Sequence, residues 1–144
     1  MKKIICIMLC VFMMSACSIG HQEGDPIELT PQEVIDKLQD EKQNTFMLYL
    51  TTDNCYACEE YVKVIQEVED ESHFDIYYVN VPLEDVDNNE KSALAELGIT
   101  IGNYTQLPMT YYFYQGSLLP ENRKEGFIEK KDFKKWLKEL HLIK

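Results

Sequence analysis

The 144-residue chain is poor in basic residues, in glycine and proline, and in long apolar runs. With 14 Lys and Arg against 25 Asp and Glu, its net charge of −11 argues against a nucleic-acid binder, which usually needs a basic surface. Six glycines and five prolines are too few for a low-complexity chain, and 45% hydrophobic residues are too many for a disordered one. The length fits one domain of roughly 100–150 residues.

An apolar run over residues 4–14 is shorter than the roughly 20 residues that span a bilayer. It follows two lysines and precedes small residues, which is the order of a secretory signal peptide. Met14-Ser15-Ala16-Cys17 resembles the lipobox of bacterial lipoproteins, whose cysteine receives lipid and becomes the new N-terminus. An ordinary signal peptide cleaved near Ala16 is the alternative. We predict a signal peptide over residues 1–16, a lipidated Cys17 with a flexible tether over residues 17–29, and one domain over residues 30–144.

This processing would explain the odd number of five cysteines. Cys6 and Cys10 would leave with the signal peptide, and Cys17 would carry the lipid. Cys55 and Cys58 would remain as the thiols of the mature chain. That chain would hold 12 basic and 25 acidic residues, a net charge of −13, so anionic head groups would repel it and the lipid would hold it at the membrane.

Hydrophobic periodicity and turn residues predict alternating helices and strands. Thr30-Pro31-Gln32-Glu33 has the pattern of a capping box, which starts a helix. Further helices are predicted over residues 55–71, over residues 88–97 with Gly98 as the end, and over residues 129–140. Strands are predicted over residues 46–50, 74–81 and 109–114, near residues 118–119, and as a short first strand over residues 27–29. The fold class is therefore α/β, with a small mixed sheet of four to five strands and helices on both faces.

Cys55 and Cys58 form a C-x-x-C pair where a buried strand is predicted to pass into a helix. Two thiols at this spacing can close a disulfide, and a helix N-terminus lowers the pKa of a nearby thiol. We predict Cys55 as the attacking thiolate and Cys58 as the deeper thiol that resolves the mixed disulfide. The redox-active disulfide is the predicted catalytic group, with no other cofactor and no metal.

Structural and metal-binding roles of the pair remain alternatives. A purely structural disulfide in so short a loop would stabilise little, because the entropic gain grows with loop length. Zinc needs about four ligands, and His21, His73 and His141 are widely separated. Copper(I) could bind two thiols, but the sequence around them offers neither Met nor His.

From about Thr30 to its end, the chain resembles the thioredoxin-like family. The resemblance rests on the C-x-x-C pair, on Leu107-Pro108 followed by an aromatic strand and Gly116, and on Gly126-Phe127-Ile128 leading into the last helix. It implies that the Leu107-Pro108 bond is cis and packs against the cysteines, and that the backbone of Leu107 pairs with an extended substrate peptide. A trans loop proline is the alternative. Tyr56, between the two cysteines, is a further candidate for substrate contact.

The chain also departs from the family pattern. Asn54 stands where Trp is usual before the first cysteine, and Tyr56-Ala57 replaces Gly-Pro. Tyr49 replaces the buried acid of thioredoxins, so the proton acceptor of the buried thiol is absent or replaced. About nine extra residues lie around residues 84–91. These departures favour a specialised extracytoplasmic relative, similar to the small lipoproteins called bacteriocin transport accessory proteins.

Charge around the pair suggests its redox preference. Asp53, Glu59 and Glu60 flank the cysteines, and residues 51–62 contain no Lys, Arg or His. Like charges disfavour a thiolate, and a strong oxidant needs a stable thiolate. Our hypothesis is that the pair reduces or isomerises its substrates.

Together these features predict a monomeric thiol–disulfide oxidoreductase, anchored to a bacterial membrane through Cys17 and facing away from the cytoplasm. Its predicted partners are protein thiols and disulfides and a redox partner that regenerates the pair, with no nucleic acid. The alternative is a non-catalytic thioredoxin-like accessory module, whose thiols are vestigial or bind metal.

Overall fold

A computed structural model describes residues 25–83 and 87–144 of the chain. The predicted signal peptide, Cys17 and the tether up to residue 24 lie outside the described residues, and so do residues 84–86 of the predicted insertion. Among the described residues, no helix is both long and apolar enough to cross a membrane.

Within this part of the chain, a five-stranded sheet carries two helices on each face, which confirms the predicted α/β class. The strand order is β1-β3-β2-β4-β5, in which β1, β3 and β2 are parallel and β4 and β5 are antiparallel to their neighbours. The elements are β1 (Ile27–Glu28), α1 (Pro31–Gln39), β2 (Phe46–Thr51), α2 (Tyr56–Ser72), β3 (Ile76–Asn80), α3 (Asn88–Ile101), β4 (Met109–Tyr114), β5 (Ser117–Glu125) and α4 (Lys130–Glu139).

The central strand β2 divides the core into two layers because successive side chains point to opposite faces. Phe46, Leu48 and Leu50 pack with α1 and α3 on one face. Met47 and Tyr49 pack with α2 and α4 on the other face. The continuous apolar run therefore marks a strand buried on both sides, as predicted.

The capping box predicted at the start of α1 is confirmed. The backbone N–H of Glu33 donates to Oγ1 of Thr30 at 3.2 Å, and the backbone N–H of Thr30 donates to Oε2 of Glu33 at 2.7 Å. Both hydrogen bonds satisfy donors that a helix start otherwise leaves unpaired.

The prediction that Gly98 ends the third helix is wrong. α3 continues to Ile101 and ends at Gly102, whose φ of 75° suits glycine. Leu97 and Ile101 are both buried four residues apart on the same helix face. Their burial outweighs the roughly 1 kcal/mol that a glycine costs inside a helix.

The fifth strand is longer than the short partner predicted near residues 118–119. β5 extends from Ser117 to Glu125 and includes Pro120. A proline cannot donate to a central ladder, but β5 lies at the edge of the sheet, where a missing donor is tolerated. The strand predicted over residues 74–81 is shorter, Ile76–Asn80.

A buried acid on α2 makes the stability of the fold depend on pH. Glu69 is 5% exposed, and its Oε2 atom has no hydrogen-bond partner among the described residues. Burial raises the pKa of Glu69 from 4.5 to about 7, and the nearby carboxylates of Asp75, Asp25 and Asp70 add to the rise. Between these pH values the folded state binds more protons than the unfolded state, so stability falls as pH rises.

We expect Glu69→Gln to remove this fall, because a neutral amide is not ionised at any pH. Chemical denaturation of the full chain between about pH 4.5 and 8 would measure the free energy of unfolding at each pH. The variant should show a flatter pH profile and should be more stable than the parent at pH 8. Glu121→Gln, on the exposed edge strand, is the control and should keep the parent's profile. Equal slopes for the parent and Glu69→Gln would contradict the prediction.

Candidate functional site

The cysteine pair lies at the N-terminus of α2, directly after the end of β2. Cys55 is the N-cap residue of the helix, and its carbonyl accepts the backbone N–H groups of Cys58 and Glu59, each at 3.0 Å. The same N–H of Cys58 is shared with Sγ of Cys55, which accepts it at 3.2 Å. The two sulfurs form a disulfide of 2.10 Å, with the Cα atoms 5.2 Å apart.

The residues of this turn differ in exposure. Cys58 is 4% exposed, whereas Cys55 is half-buried and Tyr56 is 76% exposed. An incoming protein therefore reaches Cys55 before Cys58. The catalytic roles assigned to the two cysteines, and the substrate contact assigned to Tyr56, stay predictions.

Pro108 lies at the same end of the central strands as the cysteine pair. The Leu107-Pro108 peptide bond is cis, as the family resemblance implies. Leu50 pairs with Met109, so the start of β4 lies beside the end of β2, from which the chain passes into the cysteine turn. The carbonyl of Pro108 accepts the N–H of Gly126 at 2.8 Å, which holds the proline segment against the loop after β5.

A buried hydrogen bond joins the helix of the cysteines to the strand of the proline. The hydroxyl groups of Tyr61 on α2 and Thr110 on β4 lie 2.9 Å apart, and both residues are fully buried. Burial raises the pKa of the Tyr61 hydroxyl, so this group stays protonated. The sequence pattern singled out neither residue. The packing of α2 on the sheet, in which β4 pairs with β2, brings the two residues together.

Tyr49 is the residue at which the resemblance to thioredoxins implies a buried acid. It is 3% exposed, and its ring stacks on Tyr78 at 5.5 Å and meets Tyr61 edge-on at 6.1 Å. Burial, followed by the charges of Tyr78, Glu69 and Glu28, raises the pKa of Tyr49. A phenol with a raised pKa does not accept a proton near neutral pH, so Tyr49 does not replace the missing acid as a base.

A cavity of about 380 Å³ adjoins Cys58. Tyr49, Tyr78, Asp25 and Glu59 are among its lining residues. The sequence alone did not indicate it, because Asp25 comes from the segment before β1 and the other residues come from three different elements.

The acidic residues that flank the pair are not equivalent in the structure. Glu60 is paired with Lys63, with 2.6 Å between Oε1 and Nζ, and Asp53 accepts a hydrogen bond from Asn80 at 3.1 Å. Lys63 lies just beyond the segment that lacks basic residues, and the helix brings it back towards Glu60. Glu59 therefore keeps the more available charge.

The described residues contain no group of three or more His, Cys, Asp or Glu side chains that could hold a metal ion. The disulfide itself is the redox group that this part of the chain offers.

Comparisons with known proteins agree with this geometry. Similar solved structures include thioredoxin from Aeropyrum pernix, with a TM-score of 0.61 and 18% identity over 83% of this chain and 90% of that one. Thioredoxin f2 from Chlamydomonas reinhardtii has a TM-score of 0.61 and 13% identity over 83% and 99% of the two chains. Oxidised thioredoxin O1 from Arabidopsis thaliana has a TM-score of 0.58 and 18% identity over 83% and 99%.

These likenesses confirm the predicted thioredoxin-like fold. No curated protein sequence matches the chain significantly. The closer resemblance to bacteriocin transport accessory proteins stays a prediction. The family model "TraF: F plasmid transfer operon protein" matches residues 27–118, which include Cys55, Cys58 and Pro108. Because this match covers more than half of the chain, the protein belongs to the TraF family and has a thioredoxin-like fold.

Proposed function

We propose that the protein is a thiol–disulfide oxidoreductase. The observation that carries the proposal is the Cys55–Cys58 disulfide at a helix N-terminus. It lies at the same end of the central strands as cis-Pro108. In the reduced protein, the thiolate of Cys55 attacks a substrate disulfide, and one substrate sulfur leaves as a thiolate. Cys58 then loses its proton and attacks Cys55, which releases the second substrate thiolate and restores the disulfide. The substrate gains two electrons and the cysteine pair loses two.

The neighbouring residues suggest how a substrate would be held. Leu107, directly before the cis proline, would pair its backbone with an extended segment of the substrate protein. Tyr56 is exposed beside Cys55 and would contact the same segment through its ring. Both roles are part of the proposal.

A trapping experiment tests this mechanism. Without the resolving thiol, the Cys58→Ala variant of the full chain should accumulate mixed disulfides with its substrates through Cys55. Diagonal electrophoresis, without and then with reductant, would display them. The double variant Cys55→Ser, Cys58→Ala is the control and should trap nothing. If the two variants trap the same species, Cys55 is not the nucleophile.

The charge near the pair supports a reducing or isomerising direction. Glu59 and Asp53 are exposed and acidic, and a negative charge opposes formation of the Cys55 thiolate. We expect the disulfide to have a reduction potential well below about −120 mV, the value typical of a strong oxidant. Equilibration of the full chain with glutathione buffers would measure it, and a potential at or above that value would rule out the proposed direction.

We also propose that the chain is an extracytoplasmic lipoprotein anchored through Cys17. The Ser15-Ala16-Cys17 sequence after an apolar run supports it, and the family's description as a plasmid transfer operon protein is consistent with a place outside the cytoplasm. Metabolic labelling with a fatty-acid analogue should mark the expressed protein. Cys17→Ser should lose the label and leave the membrane fraction, and Cys10→Ser should behave like the parent. Equal labelling of all three proteins would contradict the anchor.

A second candidate is a non-catalytic accessory module of a transfer or export apparatus. The family's description favours it, because that description names an operon and no reaction. On this alternative, the Cys58→Ala variant would trap no partner. In the parent chain, the Cys55–Cys58 disulfide would stay intact when substrate thiols are added.

A further inference from the structure

The cavity beside Cys58 has the chemistry of a binding site for a cation. Asp25 and Glu59 supply carboxylates, and Tyr49 and Tyr78 supply aromatic rings. Lys, Arg and His are all missing from its lining among the described residues. A cavity of about 380 Å³ is also large enough for a long side chain with some water.

Tyr49 adds a second, independent indication. The residue is 3% exposed, and its hydroxyl makes no hydrogen bond to the described residues but is not among their fully buried unpartnered atoms, so solvent reaches it. This hydroxyl is not sealed in the core, because Tyr49 lines the cavity. A hydroxyl that borders a cavity and has no partner among the described residues can accept a hydrogen bond from a bound group.

Long basic side chains match this lining. A lysine or arginine can bury its aliphatic stem against tyrosine rings and place its charged head among carboxylates and a hydroxyl acceptor. The side chain of Asp25 already accepts a hydrogen bond from Gln66, but only at 3.4 Å, so a charged donor could form a stronger one. Lys63, on the same helix as Glu59, is paired with Glu60.

We propose that this cavity binds a lysine or arginine side chain of the substrate, next to the cysteine that Cys55 attacks. The inference rests on the proposed oxidoreductase function and names its substrate class: protein segments in which a basic residue adjoins the reactive cysteine. Cys58 lines the cavity and is bonded to Cys55, so the cavity lies beside the disulfide, with Cys55 just outside its lining. Neighbouring residues of an extended peptide are about 3.3 Å apart, which places an adjacent long side chain within reach.

Two matched substrates test the proposal. One is the disulfide-linked dimer of a short peptide with arginine on both sides of its cysteine, and the other has glutamine at those positions. We expect the reduced full chain to reduce the arginine dimer about fivefold to tenfold faster at low salt, with the preference shrinking at high salt. Equal rates for the two dimers would overturn the cavity proposal and leave the oxidoreductase function intact.

Charge-matched variants separate the cavity from the general acidity of the chain. Glu59→Gln and Asp25→Asn should each remove most of the preference for arginine. Asp53→Asn is the control, because Asp53 is also close to Cys55 but does not line the cavity, and asparagine keeps an oxygen for Asn80. Asp53→Asn should preserve the preference, and an equal loss in all three variants would assign it to long-range charge and overturn the site.

Binding without chemistry distinguishes the two ways in which the idea could fail. The oxidised full chain should bind an arginine-flanked peptide whose cysteine is replaced by serine, and Glu59→Gln should weaken this binding where Asp53→Asn does not. If neither dimer is reduced, the oxidoreductase function fails. If this non-reacting peptide also binds no better than its glutamine counterpart, the cavity fails as well.

Discussion

Cys55→Ser is expected to reduce insulin-disulfide reduction by the full chain to the uncatalysed rate. A thiolate is the nucleophile of disulfide exchange, and a serine hydroxyl cannot form the mixed disulfide. The loss should be specific to chemistry, because Cys55 is the N-cap of α2 and serine is among the best N-cap residues. The disulfide closes so short a loop that its loss should cost little stability.

Cys58→Ser is the informative comparison. It should still attack a substrate through Cys55, but it should stop at the mixed disulfide and release one equivalent of substrate thiol. Circular dichroism should report the same helix content for both variants and the parent. If Cys55→Ser reduces insulin as fast as the parent, the enzyme assignment fails.

Phe133→Ala is expected to destabilise the fold by about 3–5 kcal/mol, as truncations of fully buried aromatic residues do. Phe133 lies on α4 with no exposed surface, and its ring centroid is 5.8 Å from that of Tyr61 and 5.9 Å from that of Phe74. Removing the ring leaves a cavity between α4, α2 and the sheet. Urea denaturation measured by tryptophan fluorescence would report the loss, since Trp136 packs beside Phe133.

Phe127→Ala is a control of the same residue type. Phe127 is 41% exposed, with Tyr61 as its ring contact at 6.1 Å. Phe127→Ala should lose well under half as much free energy of unfolding as Phe133→Ala, because the Phe127 side chain buries less apolar area on folding. If Phe133→Ala and Phe127→Ala lose the same amount, α4 is not the core element that we describe.

The Phe133 prediction also concerns the extent of the domain. The family model ends at residue 118, whereas α4 spans Lys130–Glu139. Three residues of α4, Phe133, Trp136 and Leu137, are buried in the layer that also holds Tyr61 and Met47. The folded unit therefore includes α4.

The sequence was sufficient for the features that depend on local chemistry. The capping box at Thr30, the C-x-x-C turn and the strand over Phe46–Thr51 depend on residues close together in the chain. It was insufficient where tertiary packing decides. Gly98 stays inside α3 because Leu97 and Ile101 are buried together, which no local pattern around glycine reveals.

The candidate site also contains some features that local sequence predicts and others that only tertiary packing decides. The two cysteines and Pro108 could be named from motifs, but the Tyr61–Thr110 hydrogen bond joins residues 49 positions apart. The cavity beside Cys58 combines Asp25 with Tyr78 and Glu59, which are brought together by the parallel pairing of β1 with β3 and by the placement of α2. Such juxtapositions follow from strand order, which amino-acid spacing does not encode directly.

The two edges of the sheet have a consequence for aggregation. An exposed edge strand offers unpaired backbone groups that can recruit a strand from another molecule. At one edge, β1 has only two residues, Ile27–Glu28, too few to template a long pairing. At the other edge, β5 carries Pro120 and the charged residues Arg123 and Lys124, and proline and charge both oppose the addition of a further strand. The chain should therefore resist edge-to-edge polymerisation even at a high local concentration.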